Sequence, residues 1–318
     1  MRKHEKNDAV SITKPPDTRY STDKMCGSID IKEESKDDKQ IMLGPFVRWA
    51  GGKRWFCSRI KEYLPPQFTD YYEPFLGGGS VFFTLYGQKL FKGNCFLSDL
   101  NTQLINAYKE VRDNPEGIVN WFSKKSFTED EYYSVRAHFN AYPFSPTAPA
   151  EFLYLNKQGF NGIYRVNRQG EYNVPYGNKR AVADDYYELI RADSVALKDA
   201  NLQKSNYKYL LEEEIRPNSL VFIDPPYTTS HNNNGFIAYN KKLFNLEDQK
   251  TLLRVLKRIN DSGSYFIMTN AHHAVIEEIF GEFIFHEEIR PSLIGGKNAL
   301  RQPVSEYIIC NYDIERKS

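Results

Sequence analysis

The chain has little cysteine, almost no net charge and no long apolar run, and each shortage excludes a class of protein. Its four cysteines, Cys26, Cys57, Cys95 and Cys310, are scattered without paired spacing, which argues against a disulfide framework and a zinc site. The formal net charge is +1 over 318 residues, so any affinity for a polyanion must come from local patches. No apolar run approaches the roughly eighteen residues of a membrane span, and no signal peptide is visible. We therefore expect a soluble, cytoplasmic protein with no membrane segment.

Composition changes along the chain and suggests four parts. Residues 1–43 are rich in Lys, Asp, Glu and Ser and poor in large apolar residues, which is typical of a disordered tail. The remainder is long enough for one large core with a smaller insertion. We place the core at 44–101 and 184–318, and a mostly helical insertion at 102–183.

The spacing of apolar residues predicts helices and strands within these parts. Helical spacing is found at Trp55–Leu64, Thr102–Val111, Glu129–Phe139, Ala148–Asn156, Asp185–Leu197 and Leu246–Asn260, and strand character at Leu220–Ile223, Tyr265–Asn270 and Val304–Tyr312.

A short apolar run, Leu220–Ile223, leads directly into Asp224, Pro225, Pro226 and Tyr227. An exocyclic amino group is a poor nucleophile until its N–H bonds are held, and the carboxylate and the first proline's carbonyl are suitable acceptors. The prolines fix φ and remove competing donors, and the tyrosine offers a face on which an extruded base can stack. We interpret these four residues as the catalytic site of a methyl transfer to an amino nitrogen. A rigid exit from a strand into a loop is the alternative.

A glycine-rich turn lies more than a hundred residues upstream, within Tyr71–Phe83, where a predicted strand breaks before an apolar helix. Glycine tolerates positive φ and allows the main chain to approach a ligand closely. A second predicted strand ends at Asp99 about twenty residues on, a distance that suits an acid binding ribose hydroxyls. We therefore predict that Phe75, Gly77, Gly79 and Asp99 bind a nucleoside cofactor.

The segment Ala50–Arg54 is similar to a phosphate-binding loop but lacks its defining residues. That loop requires Ser or Thr after the lysine, for magnesium, and a glycine at the position of Val47. Arg54 follows Lys53 instead, and no pair of acids for magnesium is nearby, so we expect no metal. An adenosyl cofactor without phosphates fits better, and we predict S-adenosyl-L-methionine.

Five blocks, in this order, resemble the Dam-like (D12 class, alpha-type) DNA adenine-N6 methyltransferases: Phe46–Lys53, Glu73–Gly79, Ser98–Asn101, Tyr154–Gly177 and Asp224–Tyr227. The resemblance covers about Phe46 to Tyr312. It implies an α/β fold, with a Rossmann-like S-adenosylmethionine-dependent methyltransferase core and an inserted, mostly helical DNA-recognition domain that carries a β-hairpin.

The resemblance also implies roles for single residues. Trp49 and Lys53 contact the cofactor, Asp99 holds its ribose, and Asp224 lies where the cofactor and the target amino group meet. From its chemistry, Trp49 suits an apolar wall for adenosine or methionine, with an ordinary core tryptophan as the alternative. Lys53 suits the methionine carboxylate, and only its place in the block argues against the alternative of a solvated surface lysine.

The block Tyr154–Gly177 reads as a basic hairpin even without a family, because turn residues alternate with Tyr, Val and Ile. From Asn156 to Arg180, five basic residues stand against one acidic residue, a net charge of +4. Such a ribbon suits phosphates and base edges, where Arg prefers guanine and Asn prefers adenine. A solvated hairpin is the alternative. The predicted DNA contacts are Arg48, Asn161, Arg165, Asn167 and Arg168, with Arg165 on a base.

Two polar segments complete the predicted site. We read 228–235 as a loop that closes over a flipped base and 292–298 as a grip on the phosphates beside it, with plain surface loops as the alternatives. The expected reaction is methylation of adenine N6 in a short double-stranded DNA motif, for which GATC is one candidate. We expect a monomer that acts alone or beside a separate restriction endonuclease. Alternatives are an RNA or protein-amide methyltransferase and a non-catalytic DNA-binding relative.

Overall fold

The computed structural model describes residues 29–31, 41–178, 182, 184–227, 244–291 and 303–314. The two polar segments 228–235 and 292–298 lie outside the described residues. The strands are β1 Ile29–Ile31, β2 Ile41–Leu43, β3 Tyr71–Glu73, β4 Cys95–Asp99, β5 Ala200–Lys204, β6 Leu220–Ile223, β7 Tyr265–Ala271, β8 Ile284–Pro291 and β9 Pro303–Cys310. The α-helices are α1 Arg54–Cys57, α2 Ser80–Gly87, α3 Thr102–Asp113, α4 Pro115–Ser123, α5 Glu129–Ala141, α6 Ala148–Gln158, α7 Asp184–Leu197, α8 Leu246–Asp261 and α9 Ala274–Phe280.

Seven of the described strands form one sheet in the order β5-β4-β3-β6-β7-β9-β8. The strands from β5 to β7 run parallel, and β9 runs antiparallel to both of its neighbours. The chain therefore starts in the middle, builds outward to β5 and returns to the other side of β3. The carboxyl ends of β3 and β6 lie side by side where the strand order reverses, which is where open α/β sheets bind ligands. The predicted α/β, Rossmann-like core is confirmed.

Both faces of the sheet are covered. All four residues of β6 are buried; Leu220 and Phe222 pack into one hydrophobic cluster, whereas Val221 and Ile223 pack into the other. This explains why the strand is a continuous apolar run instead of an alternating one. Because helices cover both faces, Asp224, the first polar residue after β6, lies at the carboxyl-terminal edge of the sheet.

Helix α6 packs against α3, α4 and α5, and α4 also packs against α3 and α7. Of these, α4 has no counterpart among the predicted helices. Its start has an ordinary sequence signal, since Asn114 caps the helix by accepting a hydrogen bond from the Gly117 N–H and Pro115 occupies the first turn. The predicted helix Trp55–Leu64 is instead the single turn α1 followed by a 3₁₀ turn at Ile60–Glu62.

The predicted basic hairpin follows α6. Its two sides are joined by two isolated antiparallel bridges, Gly159 with Tyr176 and Val166 with Tyr172, and not by a continuous ladder. Such a short ribbon needs outside support, because an isolated two-stranded hairpin is marginally stable in water.

Helix α5 supplies that support through side chains that bind the hairpin main chain. The Tyr132 hydroxyl and the Arg136 guanidinium both donate to the Val174 carbonyl, at 2.9 and 3.0 Å. The Asn140 amide accepts from the Tyr172 N–H at 2.8 Å and donates to the Tyr172 carbonyl at 3.0 Å. The hairpin is thus fixed to the helical insertion.

Two short stretches of the N-terminal segment form strands. Ile29–Ile31 and Ile41–Leu43, which the sequence placed in a disordered tail, pair as the antiparallel strands β1 and β2. These strands pack against α2 and α7.

Three further findings concern the described residues. Cys57, Cys95 and Cys310 form no disulfide within the described ranges. No helix in the described ranges is long and apolar enough to cross a bilayer, and no cluster of three or more His, Cys, Asp or Glu side chains there is arranged to hold a metal ion.

Candidate active site and DNA interface

Asp224 directly follows β6 at the middle of the sheet edge, and its side chain is 19% exposed. One carboxylate oxygen, Oδ1, receives two donors: the Lys53 ammonium at 2.7 Å and the Thr269 hydroxyl at 2.7 Å. Burial raises the pKa of Asp224, whereas Lys53 and Thr269 act to lower it. These two donors therefore favour the charged form, which accepts hydrogen bonds, in a place where burial opposes it.

Lys53 joins Asp224 to Tyr227. It is 5% exposed, its Nζ lies 5.1 Å from the centroid of the Tyr227 ring, and it also donates to the Gly51 carbonyl at 3.0 Å. The sequence assigned this lysine to the cofactor, whereas the structure pairs it with the carboxylate of Asp224. Its contact with a cofactor stays a prediction.

The Tyr227 ring is held at its far end by a carboxylate that the sequence did not single out. Its hydroxyl donates to Glu306 Oε2 at 2.8 Å, and Glu306, on β9, is 1% exposed. A buried acceptor fixes the direction of the phenol, and the Lys53 ammonium lies over the ring. The arrangement presents a tyrosine in a defined orientation beside the carboxylate.

The glycine turn after β3 needs glycine at two positions. Gly77 and Gly79 have φ of 50° and 67°, which side chains rarely adopt. A Cβ on Gly77 would lie 2.8 Å from Trp49 Cδ1, and one on Gly79 would lie 2.7 Å from the Tyr108 hydroxyl. The turn is therefore limited to glycine by both conformation and space.

Asp99, at the end of β4, binds the glycine turn. Its Oδ2 accepts from the Gly77 N–H at 3.0 Å, and its Oδ1 accepts from the Asn101 N–H at 2.9 Å. Burial raises the pKa of Asp99, and these backbone donors lower it. The sequence-predicted glycines and acid thus belong to one structural unit.

Phe75 lies in an aromatic cluster on the same turn. Its ring stacks on Tyr207, with 5.1 Å between centroids and 26° between planes, and meets Phe244 edge-on at 6.1 Å. The ring is partly exposed, so it offers an apolar surface beside Gly77 and Asp99.

Glu73 connects the two halves of the site, and sequence analysis missed it. It ends β3, is 3% exposed, and accepts from the Tyr71 hydroxyl at 2.8 Å. Burial raises its pKa to about 8, and repulsion from Asp224 and Asp99 contributes in the same direction. Because both acids act on Glu73, the predicted catalytic and cofactor residues share one site. The sequence did contain a signal for Glu73, because an acidic residue at the end of a short apolar strand is unusual.

We expect Glu73→Gln to remove a pH dependence of stability. Between pH 4.5 and about 8 the folded chain keeps the Glu73 proton that the unfolded chain releases, so wild-type stability falls as pH rises, by about 1.4 kcal/mol per pH unit. Glutamine has no proton to lose. Thermal unfolding measured across this range should show that the stability of the variant relative to the wild type increases toward pH 8. The exposed Glu278→Gln is the control, and a gain that does not vary with pH would contradict the expectation.

A buried amide joins the hairpin to the segment that carries Trp49 and Lys53. Asn156, on α6, is 2% exposed; it accepts from the Arg48 N–H at 2.8 Å and donates to the carbonyls of Arg48 and Gly162 at 2.8 and 3.1 Å. Trp49 also stacks on Tyr164 of the hairpin, with 5.5 Å between centroids. The exposed Arg48 side chain is thereby placed beside the base of the hairpin. Asn156 was missed because Arg48, with which it makes two of its three hydrogen bonds, is 108 residues away in sequence.

We expect Asn156→Ala to destabilise the fold by about 3 kcal/mol, because it leaves buried backbone groups of Arg48 and Gly162 without partners. Thermal denaturation measures the change, and Asn120→Ala on the exposed face of α4 is the matched control. Equal melting temperatures for the two variants would show that this amide does not hold the hairpin.

The predicted base-contacting residue, Arg165, is exposed on the hairpin and partly preorganised. Its Nε donates to Asn173 Oδ1 at 2.8 Å and one terminal nitrogen donates to the Asn173 carbonyl at 2.9 Å. Arg168 is exposed at the tip, and the exposed Asn161 has φ of 54°. All three side chains are exposed on the segment that forms the hairpin.

Asn167 closes the hairpin turn. Its side-chain oxygen accepts from the N–H groups of Gln169 and Glu171 at 2.9 and 3.0 Å, and its amide donates to the Glu171 carboxylate at 2.7 Å. The sequence predicted a DNA contact here. The structure gives Asn167 a turn-forming part, and the DNA contact stays a prediction.

This fold and site define a class: the chain belongs to the D12 class of N6 adenine-specific DNA methyltransferases, whose family model matches residues 49–291. Among curated relatives, it is 27% identical over 286 residues to the Type II methyltransferase M1.LlaDCHI of Lactococcus lactis, covering 86% of this chain and 97% of the relative. It is 30% identical over 287 residues to the Type II methyltransferase M.MjaIII of Methanocaldococcus jannaschii, covering 84% and 99%. It is 31% identical over 241 residues to a DNA adenine methylase of Haemophilus influenzae, covering 72% and 79%.

The family predicted from the five sequence blocks is confirmed, and the chain is an adenine-specific DNA methyltransferase. Membership of a methyltransferase family implies use of S-adenosyl-L-methionine, and the family's reaction implies a DNA substrate.

Proposed function

We propose that this chain methylates N6 of an adenine turned out of duplex DNA at a short specific motif, with Asp224 as the acceptor that holds the target amino group. The observation that supports it best is the position of Asp224, Lys53 and Tyr227 at the carboxyl end of β6, beside the glycine turn of β3.

The residues around the turn fit an adenosyl cofactor. A Cβ at Gly77 would press on Trp49. The surface beside the turn is therefore formed by the main chain of the turn and by the Trp49 indole. We propose that Trp49 and Phe75 supply apolar walls, that Asp99 accepts from ribose hydroxyls, and that Gly77 and Gly79 allow close approach of the backbone. When bound, S-adenosyl-L-methionine supplies an electrophilic methyl group.

In the proposed mechanism, Asp224 accepts one N–H of the adenine amino group and the Pro225 carbonyl accepts the other, which localises the N6 lone pair. Pro225 is buried and Pro226 is exposed, so the first proline's position is set by packing. Tyr227 stacks on the extruded base, an interaction worth about 1–3 kcal/mol per base elsewhere. The N6 proton is lost after the attack, along the hydrogen bond to Asp224.

We expect Gly77→Ala to weaken cofactor binding at least about tenfold, because the new methyl group displaces Trp49 and strains a positive-φ residue. Calorimetric titration without DNA measures the dissociation constant. Gly263→Ala is the matched control: its φ is 73°, and its nearest neighbour for a Cβ is 4.0 Å away, far from the turn in sequence. If the two variants bind the cofactor equally, it does not contact this turn.

We propose that Arg165 reads a base and that Arg48, Asn161, Asn167 and Arg168 contact bases or phosphates around it. The placement of Arg165 by Asn173 supports this, since a held guanidinium loses less freedom when it binds a base edge.

Arg165→Ala should therefore reduce discrimination between the preferred motif and single-base variants by about 5- to 150-fold, and weaken overall DNA affinity less. A panel of altered oligonucleotides measures methylation rates on each. Arg191→Ala is the control: Arg191 is a partly exposed arginine on α7 that pairs with Glu116, and its loss should leave discrimination unchanged. A uniform loss on every oligonucleotide would assign Arg165 to the phosphate backbone.

We further propose a monomer that acts either beside a separate restriction endonuclease or as a solitary methylase, with GATC as one candidate motif. The names of two relatives, Type II methyltransferases, and of a third, a DNA adenine methylase, support these two settings. Mapping the methylated bases tests the motif, and measuring the molar mass by analytical ultracentrifugation tests the monomeric state.

A further inference from the structure

Thr269 contacts the candidate catalytic carboxylate from the neighbouring strand. Strands β6 and β7 are parallel, and Ile223 pairs with Met268, so the next residues, Asp224 and Thr269, come side by side. Thr269 is fully buried, and its hydroxyl donates to Asp224 Oδ1 at 2.7 Å. Neither the family blocks nor the sequence patterns drew attention to this residue.

The two donors to Asp224 share one oxygen. Lys53 and Thr269 both bind Oδ1, and within the described ranges no hydrogen bond reaches Oδ2. We propose that Thr269 is a positioning residue: together with Lys53 it saturates Oδ1 and turns Oδ2 toward the amino group of the target base. This inference rests on the proposed function.

Lys53 and Thr269 differ in how firmly they orient the Asp224 carboxylate. Lys53 lies on a flexible stem and also contacts Gly51 and Tyr227, so it supplies charge with little directional control. Thr269 is β-branched and stiff at χ1, and its strand pairs with β9 at Ile308. Its hydroxyl is therefore the donor that fixes the rotation of the carboxylate.

A threonine with a purely structural role would pack in the core and hydrogen-bond its hydroxyl without affecting the reaction. Removing the hydroxyl while keeping the side-chain volume separates this structural role from the positioning role. Thr269→Val does this, Thr269→Ser keeps the hydroxyl and loses a methyl group, and Thr269→Ala tests the same loss without branching. Thr84→Val is the matched control, because Thr84 is also buried and donates to a main-chain carbonyl, that of Ser80, at 2.7 Å.

We would measure kcat, the KM for each substrate, and the pH profile of kcat for all four variants. Thr269→Val and Thr269→Ala should lower kcat by about 10- to 100-fold, the value of a hydrogen bond to a charged group, with both KM values nearly unchanged. Thr269→Ser should retain most of the wild-type kcat, and Thr84→Val all of it.

The pH profile adds a readout that packing does not move. Thr269 favours the ionised form of Asp224, so its loss raises the pKa of that carboxyl. Since the carboxylate is the accepting form, activity should then be lost at a higher pH as the solution is acidified. The other groups that act on Asp224 are Lys53, Glu306, Glu73 and Tyr227, and all four are kept in every variant.

Two results would overturn the inference: wild-type kcat and pH profile in Thr269→Val and Thr269→Ala, or an equal loss in Thr269→Ser, which would assign the effect to the methyl group. Failure of the proposed function is separate, because the wild-type protein itself would then transfer no methyl group to adenine.

Discussion

Asp224→Ala should lower methyl transfer to DNA by about 10³-fold, within the range for losing a positioned acid–base group, while cofactor and DNA remain bound. The loss arises because Asp224 is the proposed carboxylate acceptor for the target amino group, and Glu306, the other carboxylate beside Tyr227, is buried and already bound by the Tyr227 hydroxyl. Single-turnover transfer of a labelled methyl group measures the rate, and electrophoretic mobility shift measures DNA affinity.

The control for this variant is another buried acid on the same sheet. Asp70, at the opposite end of β3, is 4% exposed, accepts from the Asn94 N–H at 2.8 Å and pairs with Arg216 at 3.1 Å. Asp70→Ala should destabilise the fold yet leave transfer by the folded protein unchanged. Transfer retained by Asp224→Ala, or DNA binding lost together with it, would contradict the assigned role.

Lys53→Met should have the next largest effect, lowering kcat by about 100-fold, because removing one partner of a buried ion pair costs about 3–5 kcal/mol and part of that cost falls on the reacting state. Lys53 lowers the pKa of Asp224, so its removal raises that pKa. The acidic limb of the pH profile should accordingly move to higher pH. Steady-state kinetics across pH measure both changes.

Lys125→Met is a matched control, since Lys125 likewise pairs with a carboxylate, Glu131 at 2.8 Å, and lies 5.0 Å from an aromatic centroid, that of Trp121. It should leave kcat and the pH profile as they are. If Lys53→Met instead raised only the KM for S-adenosylmethionine, the lysine would serve the cofactor carboxylate, as its sequence motif first suggested.

Strand β6, which leads into Asp224, and the glycine turn after β3 were predictable because their signals are local. A four-residue apolar run that leads into two prolines is typical of a strand covered on both faces. Three glycines between a strand and a helix mark a turn that lacks side chains. Their meeting also follows from sequence order: parallel strands end at one edge, and the chain returns beside β3 after its excursion to β5.

The supporting residues were not predictable, because each works through a partner distant in sequence. Thr269 lies 45 residues from Asp224, Glu306 lies 79 from Tyr227, and Asn156 lies 108 from Arg48. A polar residue inside a predicted buried strand or helix is the only local trace of such a contact. It shows that a partner is needed but not which one.

The measurement that tests the account most directly is to incubate the purified protein with S-adenosylmethionine and adenine-unmethylated genomic DNA, and to map modified bases by single-molecule sequencing beside Asp224→Ala. The account predicts N6-methyladenine at one short motif, absent with the variant. No modified adenine, despite demonstrated cofactor binding, would contradict it.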